Sequence, residues 1–251
     1  MSHSNTHTFS GLQDIYDAAR PTYPAESLTK LKALINSGSA EIIDIGCGTG
    51  ILTRQLQAAM PEANIQGCDI NADMISKAKQ SSSGIKFFEN IAEDLPFDDD
   101  QFNLITVGQA VHWFDRPKFY PEMMRVLKKG GVLALIENNR SWQTDAFFAK
   151  YEDLLEAHSP NYSRHYRDTD YMAEMADAGF KDVTAHESIW QRVMSAAEFT
   201  DMSCSSSKMA AARKATDDAV LGELRKLIAE YVDADGKLAI DYVTKIIYGV
   251  V

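Results

Sequence analysis

The sequence predicts an α/β fold, in which helices cover both faces of a mostly parallel sheet. Two observations support this: strand-like apolar runs alternate with helix-like segments through the first half, and a glycine-rich turn follows the first run. The predicted strands span 41–45, 64–69, 85–89, 102–107 and 132–137. The predicted helices span 24–36, 51–59, 71–80 and 117–128.

The first strand and the last helix of this half have the clearest sequence signals. Ile42, Ile43 and Ile45 form a short apolar run that is typical of a buried parallel strand. At the other end, Lys128-Lys129-Gly130-Gly131 is predicted to cap the C-terminus of the helix at 117–128. Lysine is favourable at the negative end of the helix dipole, and glycine readily adopts the left-handed conformation that ends a helix. The turn is then expected to lead into the fifth strand.

After Glu137 the pattern changes to aromatic-rich helical segments, which predict a helical lid in the C-terminal half. These segments span 143–158, 169–178, 195–213 and 217–232. Alternating apolar residues near 182–193 and 242–250 predict two more strands, which would complete a seven-stranded sheet.

The composition limits the possible functions. The chain has 251 residues, 45% of them hydrophobic, and a formal net charge of -11. This charge disfavours nucleic acid as a partner, because nucleic-acid binders need clustered lysine and arginine. Cys47, Cys68 and Cys204 lack metal-ligand spacing and are odd in number, which predicts a reducing compartment and no metal site. No apolar run approaches the ~18 residues of a membrane span, so we expect a soluble, cytoplasmic protein. We also expect it to be a monomer or a homodimer.

A candidate ligand site follows the first strand. In Asp44-Ile-Gly46-Cys-Gly48-Thr-Gly50, small residues let the backbone turn tightly and approach a ligand before a helix begins near Ile51. The amides at that helix start would face the ligand. A nicotinamide dinucleotide fingerprint would place its third glycine where Ile51 stands, so this cofactor class is disfavoured.

Asp69 strengthens the prediction of a nucleoside cofactor. It ends the second predicted strand in Gly67-Cys68-Asp69, and a carboxylate there can bind both hydroxyls of a ribose. The alternative interpretation of the glycine loop is a structural turn without a ligand.

Four motifs occur in order along the first half of the chain. They are Tyr16-Asp-Ala-Ala-Arg20-Pro21-Thr-Tyr23-Pro24, the glycine loop, Ala92-Glu93-Asp94-Leu95-Pro96-Phe97 and Gln109-Ala-Val-His112-Trp113-Phe114. This set resembles class I S-adenosylmethionine-dependent methyltransferases, specifically the type 11 methyltransferase domain and its branch similar to trans-aconitate methyltransferases. The resemblance covers about the first 140 residues and the final strand.

The resemblance implies a Rossmann-like, seven-stranded, mostly parallel sheet with helices on both faces, in a single domain spanning 1–251. Its parts would be a cofactor-binding core at 1–140, a lid of substrate helices with one strand at 141–235, and a closing strand at 241–251.

The resemblance also implies a set of residues that bind S-adenosylmethionine. They are Tyr16, Arg20, Asp44, Gly46, Cys47, Gly48, Asp69, Ile70, Ala92, Glu93 and Gln109. Asp69 would bind the ribose, Ile70 would cover one face of the adenine, and Arg20 or Tyr16 would reach the methionine carboxylate. Ile91 stands where relatives commonly carry an aspartate, so backbone groups would carry more of the adenine recognition. Alternatively, Arg20 pairs with surface acids and Asp44 caps a helix.

His112 is the candidate catalytic residue. It follows the fourth strand, at the edge where ligands bind in open α/β sheets, and a histidine there could take a proton from the methyl acceptor. Packing of His112 against the cofactor wall is the alternative. The candidate substrate contacts are Tyr23, Trp113, Trp142 and Arg164.

One absent motif narrows the methyl acceptor. Methyltransferases that act on planar nitrogens commonly carry Asn/Asp-Pro-Pro-Tyr/Phe at this edge, whereas this chain has Gly108-Gln109-Ala110-Val111. An oxygen, a carbon or a basic amine therefore remains as the possible methyl acceptor. We expect a small-molecule methyltransferase acting on oxygen of a carboxylate or hydroxyl. The alternatives are a C-methyltransferase of a quinone- or sterol-like lipid and a catalytically silent protein that binds S-adenosylmethionine.

Overall fold

The computed structural model describes residues 20–35, 39–140 and 142–251, which form a layered α/β structure. The strands are β1 (Glu41–Ile45), β2 (Asn64–Asp69), β3 (Lys86–Glu89), β4 (Phe102–Gly108), β5 (Leu127–Arg140), β6 (Lys181–Ser195) and β7 (Lys237–Val250). Within the described ranges they form one seven-stranded sheet in the order β3-β2-β1-β4-β5-β7-β6. Strands β1 to β5 run parallel, and β7 lies antiparallel between β5 and β6. The predicted fold class is confirmed.

Helices cover both faces of this sheet. They are α1 (Ala25–Ala33), α2 (Ile51–Ala59), α3 (Ala72–Gln80), α4 (Arg116–Val126), α5 (Ala146–His158), α6 (Tyr171–Asp177), α7 (Ala196–Cys204), α8 (Ser207–Thr216) and α9 (Val220–Tyr231). Among the helices that the structure describes, none is long and apolar enough to cross a membrane.

Among the described residues, three large apolar clusters hold the layers together, and a small fourth cluster packs α3 against β3. On one face of the sheet, α4 and α6 bury residues such as Phe119 and Met175, and on the other face α1 and α2 bury Leu31 and Leu56. In the third cluster, the helices α5, α7, α8 and α9 pack against the outer halves of β6 and β7. The lid is therefore anchored to the strands that extend beyond the parallel part of the sheet.

The predicted end of α4 is wrong. The helix ends at Val126, and Leu127 is fully buried and pairs with Phe102 of β4, so the strand starts directly after the helix. Residues 128–131 lie inside β5 instead of capping the helix. Gly130 does adopt a positive φ of 77°, but it lies where the pairing of β4 and β5 changes register. Burial and strand pairing of Leu127 outweigh the local capping signal.

The single helix predicted at 195–213 is also wrong, because the structure has two helices, α7 and α8. The break falls at Ser205 and Ser206. The Ser205 hydroxyl donates to the carbonyl oxygen of Met202, and the Ser206 hydroxyl accepts from the amide of Met209 and caps α8. Serine favours such a helix start because its oxygen satisfies an amide that the helix leaves unpaired.

The last strand is longer than predicted. It begins at Lys237 rather than at 241 or 242, and Leu238 and Ile240 are buried in the lid cluster. Exposed Ala239 and Asp241 alternate with them, as in a strand with one buried face.

Candidate active site

A cavity of about 1040 Å³ opens at the carboxyl edge of the parallel strands, between the sheet and the lid. One end is lined by the glycine loop and Asp69, and the other by residues of β5, α5 and the loop that follows α5. A smaller cavity of about 100 Å³ adjoins it and shares Arg20, Gly48 and Gln109 with it. The glycine loop and the lid residues therefore line one continuous cavity.

The glycine loop is built from left-handed residues. Gly46, Gly48 and Gly50 have φ values of 65°, 54° and 80°, which side-chain-bearing residues rarely adopt. A Cβ on Gly46 would lie 2.6 Å from the Cβ of Ala110, whereas a Cβ on Gly48 would meet no atom within 4 Å. Gly46 is thus packed against the protein, and Gly48 presents open backbone to both cavities.

Asp44 lies behind the loop and is only 1% exposed. One carboxylate oxygen accepts from the Thr53 hydroxyl at 2.7 Å and the other from the Thr106 hydroxyl at 3.0 Å. Burial raises the pKa of Asp44 to about 7, although these two hydrogen bonds oppose the shift. Asp44 ties β1 to α2 and β4 and lines the smaller cavity. Its predicted contact with the cofactor stays a prediction.

Asp69 is oriented by two backbone amides. Its carboxylate accepts from the Gly48 amide at 2.9 Å and from the Asn71 amide at 2.8 Å. Burial raises the pKa of Asp69, and the two amides partly offset that shift. Asp69 lines the large cavity beside Ile70, which is 38% exposed. A carboxylate has about four acceptor positions, so Asp69 can still accept from the hydroxyls of a ribose.

The predicted adenine region lies on the next loop of the same edge. Ile91, Ala92 and Glu93 all line the large cavity, with Ala92 buried. Glu93 also accepts from the Asp115 amide at 2.7 Å, so one of its oxygens is already engaged. Residues 91–93 thus lie beside the cavity, and their predicted backbone contacts with adenine stay a prediction.

The N-terminal motif is described in part. Tyr16 lies outside the described residues. Arg20 lines both cavities and donates to the carbonyl oxygen of Ser205 at 3.3 Å, which joins this segment to the break between α7 and α8. Tyr23 is 8% exposed and lines the smaller cavity, with its hydroxyl 2.6 Å from where a Cβ of Gly108 would stand. Tyr23 thus lies near the glycine loop, in a cavity that the lid residue Met202 also lines, and its predicted substrate contact stays a prediction.

Cys47 also lines the smaller cavity. Its amide donates to the carbonyl oxygen of Cys68 at 2.9 Å, and burial raises the pKa of its thiol well above the ordinary value. The thiol is therefore protonated at neutral pH, and Cys47 contributes its backbone to the loop.

A sharp turn after β4 brings the candidate catalytic residue into the large cavity. Gln109 has a φ of 60°, a conformation that costs energy in a non-glycine residue, and its side chain donates to the carbonyl oxygen of Asn138 at 3.0 Å. A 3₁₀ turn at Val111–Trp113 follows. His112 and Trp113 both line the cavity, and their ring centroids lie 5.0 Å apart.

At the lid end, Trp142 and Arg164 line the cavity together. The Arg164 guanidinium lies 5.0 Å from the Trp142 ring and forms ion pairs with Glu156 and Asp153. Two carboxylates therefore already balance its charge. Its predicted role as a substrate contact stays a prediction.

Comparison with known proteins shows what residues 42–131 are similar to. The methyltransferase domain family matches the stretch from the first strand through the glycine loop and His112 to Gly131. Residues 42–131 belong to the methyltransferase domain family. The predicted methyltransferase family is confirmed for this stretch, and the branch similar to trans-aconitate methyltransferases stays a prediction.

The methyltransferase domain is similar to curated proteins over about half of their length. It is 30% identical over 133 residues to an uncharacterised methyltransferase of Mycobacterium tuberculosis, which is 53% of this chain and 53% of that protein. It is 31% identical over 149 residues to the demethylmenaquinone methyltransferase of Chlorobaculum tepidum, covering 53% of this chain and 61% of that protein.

The fold is also similar to that of solved structures. A protein of Anaeromyxobacter dehalogenans described as a type II methyltransferase matches with a TM-score of 0.73 and 22% identity, over 92% of this chain and 97% of that one. At this identity the likeness shows the fold of the methyltransferase domain and its lid.

Sequence reasoning missed two residues that α5 contributes to the cavity of the methyltransferase domain, Tyr151 and Glu152. Both are buried on the face of α5 that also buries Phe148 and Leu155. The sequence does contain a signal for Glu152, because this acidic residue interrupts a stripe of apolar residues at helical spacing.

Proposed function

We propose that this protein transfers a methyl group from S-adenosylmethionine to an oxygen atom of a small molecule. The observation that carries the proposal is the Asp69 carboxylate, which Gly48 and Asn71 hold beside an open glycine loop at one end of a two-ended cavity. Similarity to the methyltransferase domain family over 42–131 supports it.

The residues at the glycine-loop end fit the parts of S-adenosylmethionine. Asp69 would accept from the ribose hydroxyls, and Ile70 and Ala92 would flank the adenine, which is apolar on both faces. The open space beside Gly48 would leave room for the methionine portion, and the guanidinium of Arg20 would meet its carboxylate. When bound, S-adenosylmethionine supplies an electrophilic methyl group on a positively charged sulfur.

His112 and Trp113 line the same cavity as the glycine loop and the lid residues. The lid and Trp113 would exclude water and align the acceptor oxygen with the methyl group, which is the main requirement of an in-line displacement. For a hydroxyl acceptor, a ring nitrogen of His112 would take the hydroxyl proton as the oxygen bonds to the methyl carbon. A carboxylate acceptor is already ionised and needs no base.

A second candidate is carbon methylation of a lipid quinone. The similarity to the demethylmenaquinone methyltransferase of Chlorobaculum tepidum favours it. A third candidate, a silent protein that binds S-adenosylmethionine without turnover, differs from both because it would transfer no methyl group to any acceptor.

Calorimetry with S-adenosylhomocysteine tests the cofactor assignment. Asp69→Ala should weaken binding by about 1.5–3 kcal/mol, because a charged hydrogen-bond acceptor is lost. Asp73→Ala is the matched control, since Asp73 is exposed in the first turn of α3. Equal affinity of the folded Asp69→Ala variant and the wild type would refute the assignment.

Release of S-adenosylhomocysteine tests the reaction. The wild type should turn over with hydroxylated or carboxylated small molecules. Activity on quinols alone would favour the second candidate, and cofactor binding without any turnover would favour the third. Activity on RNA with none on small molecules would refute all three.

A further inference from the structure

The lid end of the large cavity contains a buried carboxylate that the proposed mechanism does not use. Glu152 lies on the apolar face of α5, is only 7% exposed, and lines the cavity between Tyr151 and Leu155. Burying an ionised carboxylate is costly unless hydrogen-bond donors or cations surround it. Glu152 therefore needs partners that explain its position.

The protein supplies one such partner. The hydroxyl of Tyr162 donates to Oε2 of Glu152. Over the part of the chain that the structure describes, no other group donates to Glu152, and no cation lies within ion-pair distance of it. Glu152 lines the cavity, and no described group donates to its second oxygen, Oε1. One oxygen is thus fixed by the protein and the other is left open for a ligand.

We propose that Glu152, oriented by Tyr162, binds a hydroxyl group of the methyl acceptor. This inference rests on the proposed function and narrows its substrate class. The acceptor hydroxyl would donate to Oε1 and complete the hydrogen bonding of the buried carboxylate. Bonds to ionised acceptors are about twice as strong as those between neutral groups, so this contact can decide which acceptor binds.

The charges around Glu152 favour a neutral donor. Arg140 lines the same wall, and its guanidinium lies 5.2 Å from the ring of Tyr151, the residue next to Glu152. An ammonium group placed at Oε1 would be attracted by Glu152 but repelled by the positive charge of Arg140. A carboxylate placed there would be attracted by Arg140 but would meet the like charge of Glu152 at contact distance, and Arg164 offers it little attraction because Asp153 and Glu156 already pair with it. A hydroxyl avoids both repulsions.

The first experiment compares acceptor classes. Wild-type protein with S-adenosylmethionine is screened against hydroxylated compounds, primary amines and polycarboxylates without hydroxyls, and release of S-adenosylhomocysteine is measured. The best acceptor should carry a hydroxyl. A best acceptor without one would overturn the inference while leaving methyl transfer intact. A wild type that binds S-adenosylhomocysteine but turns over nothing would remove both the inference and the proposed function.

The second experiment uses variants with that best acceptor. Glu152→Gln should raise the KM for the acceptor by about 10- to 100-fold, the range for one charged hydrogen bond, while kcat changes by less than about threefold. Tyr162→Phe should raise KM by a smaller factor, because it removes only the group that orients Glu152. The matched control is Glu230→Gln, since Glu230 is exposed on α9 and pairs with Lys150.

These variants also separate recognition from other roles. Calorimetry with S-adenosylhomocysteine should give wild-type affinity for all of them, which shows that the fold and the cofactor end are intact. An unchanged KM in Glu152→Gln would overturn the inference. A loss confined to kcat would overturn it as well, because Glu152 would then act in the chemical step rather than in binding.

Discussion

Replacing Asp44 with asparagine should remove a large part of the pH dependence of stability. Asp44 has a pKa of about 7 in the folded protein because it is buried, against an ordinary value of 3.8. The folded state therefore holds this proton more tightly than the unfolded chain does. The stability that Asp44 contributes is fully present below about pH 4 and is lost as the pH rises through about 7.

The magnitude follows from the two pKa values. Between pH 5 and pH 8, the contribution of this one group to the free energy of unfolding should fall by about 2.5 kcal/mol. Asparagine has nearly the same shape and can keep hydrogen bonds to Thr53 and Thr106, but it has no proton to lose. From pH 5 to pH 8, the free energy of unfolding of the wild type should therefore fall by about 2.5 kcal/mol relative to that of Asp44→Asn.

Urea unfolding of both proteins at pH 5, 6, 7 and 8 measures this shift directly. Asp73→Asn is the control, because it makes the same substitution at an exposed position on α3. A difference between wild type and Asp44→Asn that stays constant from pH 5 to pH 8 would refute the reasoning. It would mean that Asp44 keeps the same charge in the folded protein throughout.

Two further predictions concern the reaction and the cofactor class. With a hydroxyl acceptor, His112→Ala should lower kcat/KM by roughly 10²- to 10⁴-fold, the usual loss when a general base is removed, whereas a carboxylate acceptor should show only a modest loss. His158→Ala, at the end of α5 and paired with Glu223, should leave the rate unchanged, and equal rates for both variants would argue against a proton-transfer role. NADH should not bind, because Ile51 occupies the third-glycine position of the dinucleotide fingerprint. A fluorescence titration that gives micromolar affinity would contradict this prediction.

The glycine-loop end of the site was predictable from the sequence because its geometry is local. Gly46 and Gly48 follow β1 directly, and Asp69 ends the neighbouring strand, so a parallel sheet brings them to the same edge. The register Ile45↔Cys68 places the two strand ends side by side. Few long-range contacts are needed for this part of the prediction.

The lid end was not predictable in the same way. Glu152 and Tyr162 meet because the chain turns back after α5, and Asp153 and Glu156 pair with Arg164 on the same turn. The break at Ser205 and the start of β7 at Lys237 likewise depend on which side chains the lid buries. Periodicity identifies helices there, but it does not show which of their polar residues face a cavity.

The position of β7 has a consequence for how the chain folds during synthesis. Among the described strands, β6 pairs with β7 alone, and β7 leaves the ribosome only after all of α7, α8 and α9. Until then the backbone groups of β6 along 181–195 have no partner strand, and the nascent lid helices are held to the sheet at one end only. The pairing is long-range in sequence, so it forms late and slowly compared with the helices that precede it. A translational pause after α9 would therefore prolong the exposure of an unpaired strand edge, which is the kind of surface that chaperones bind and that aggregates form upon.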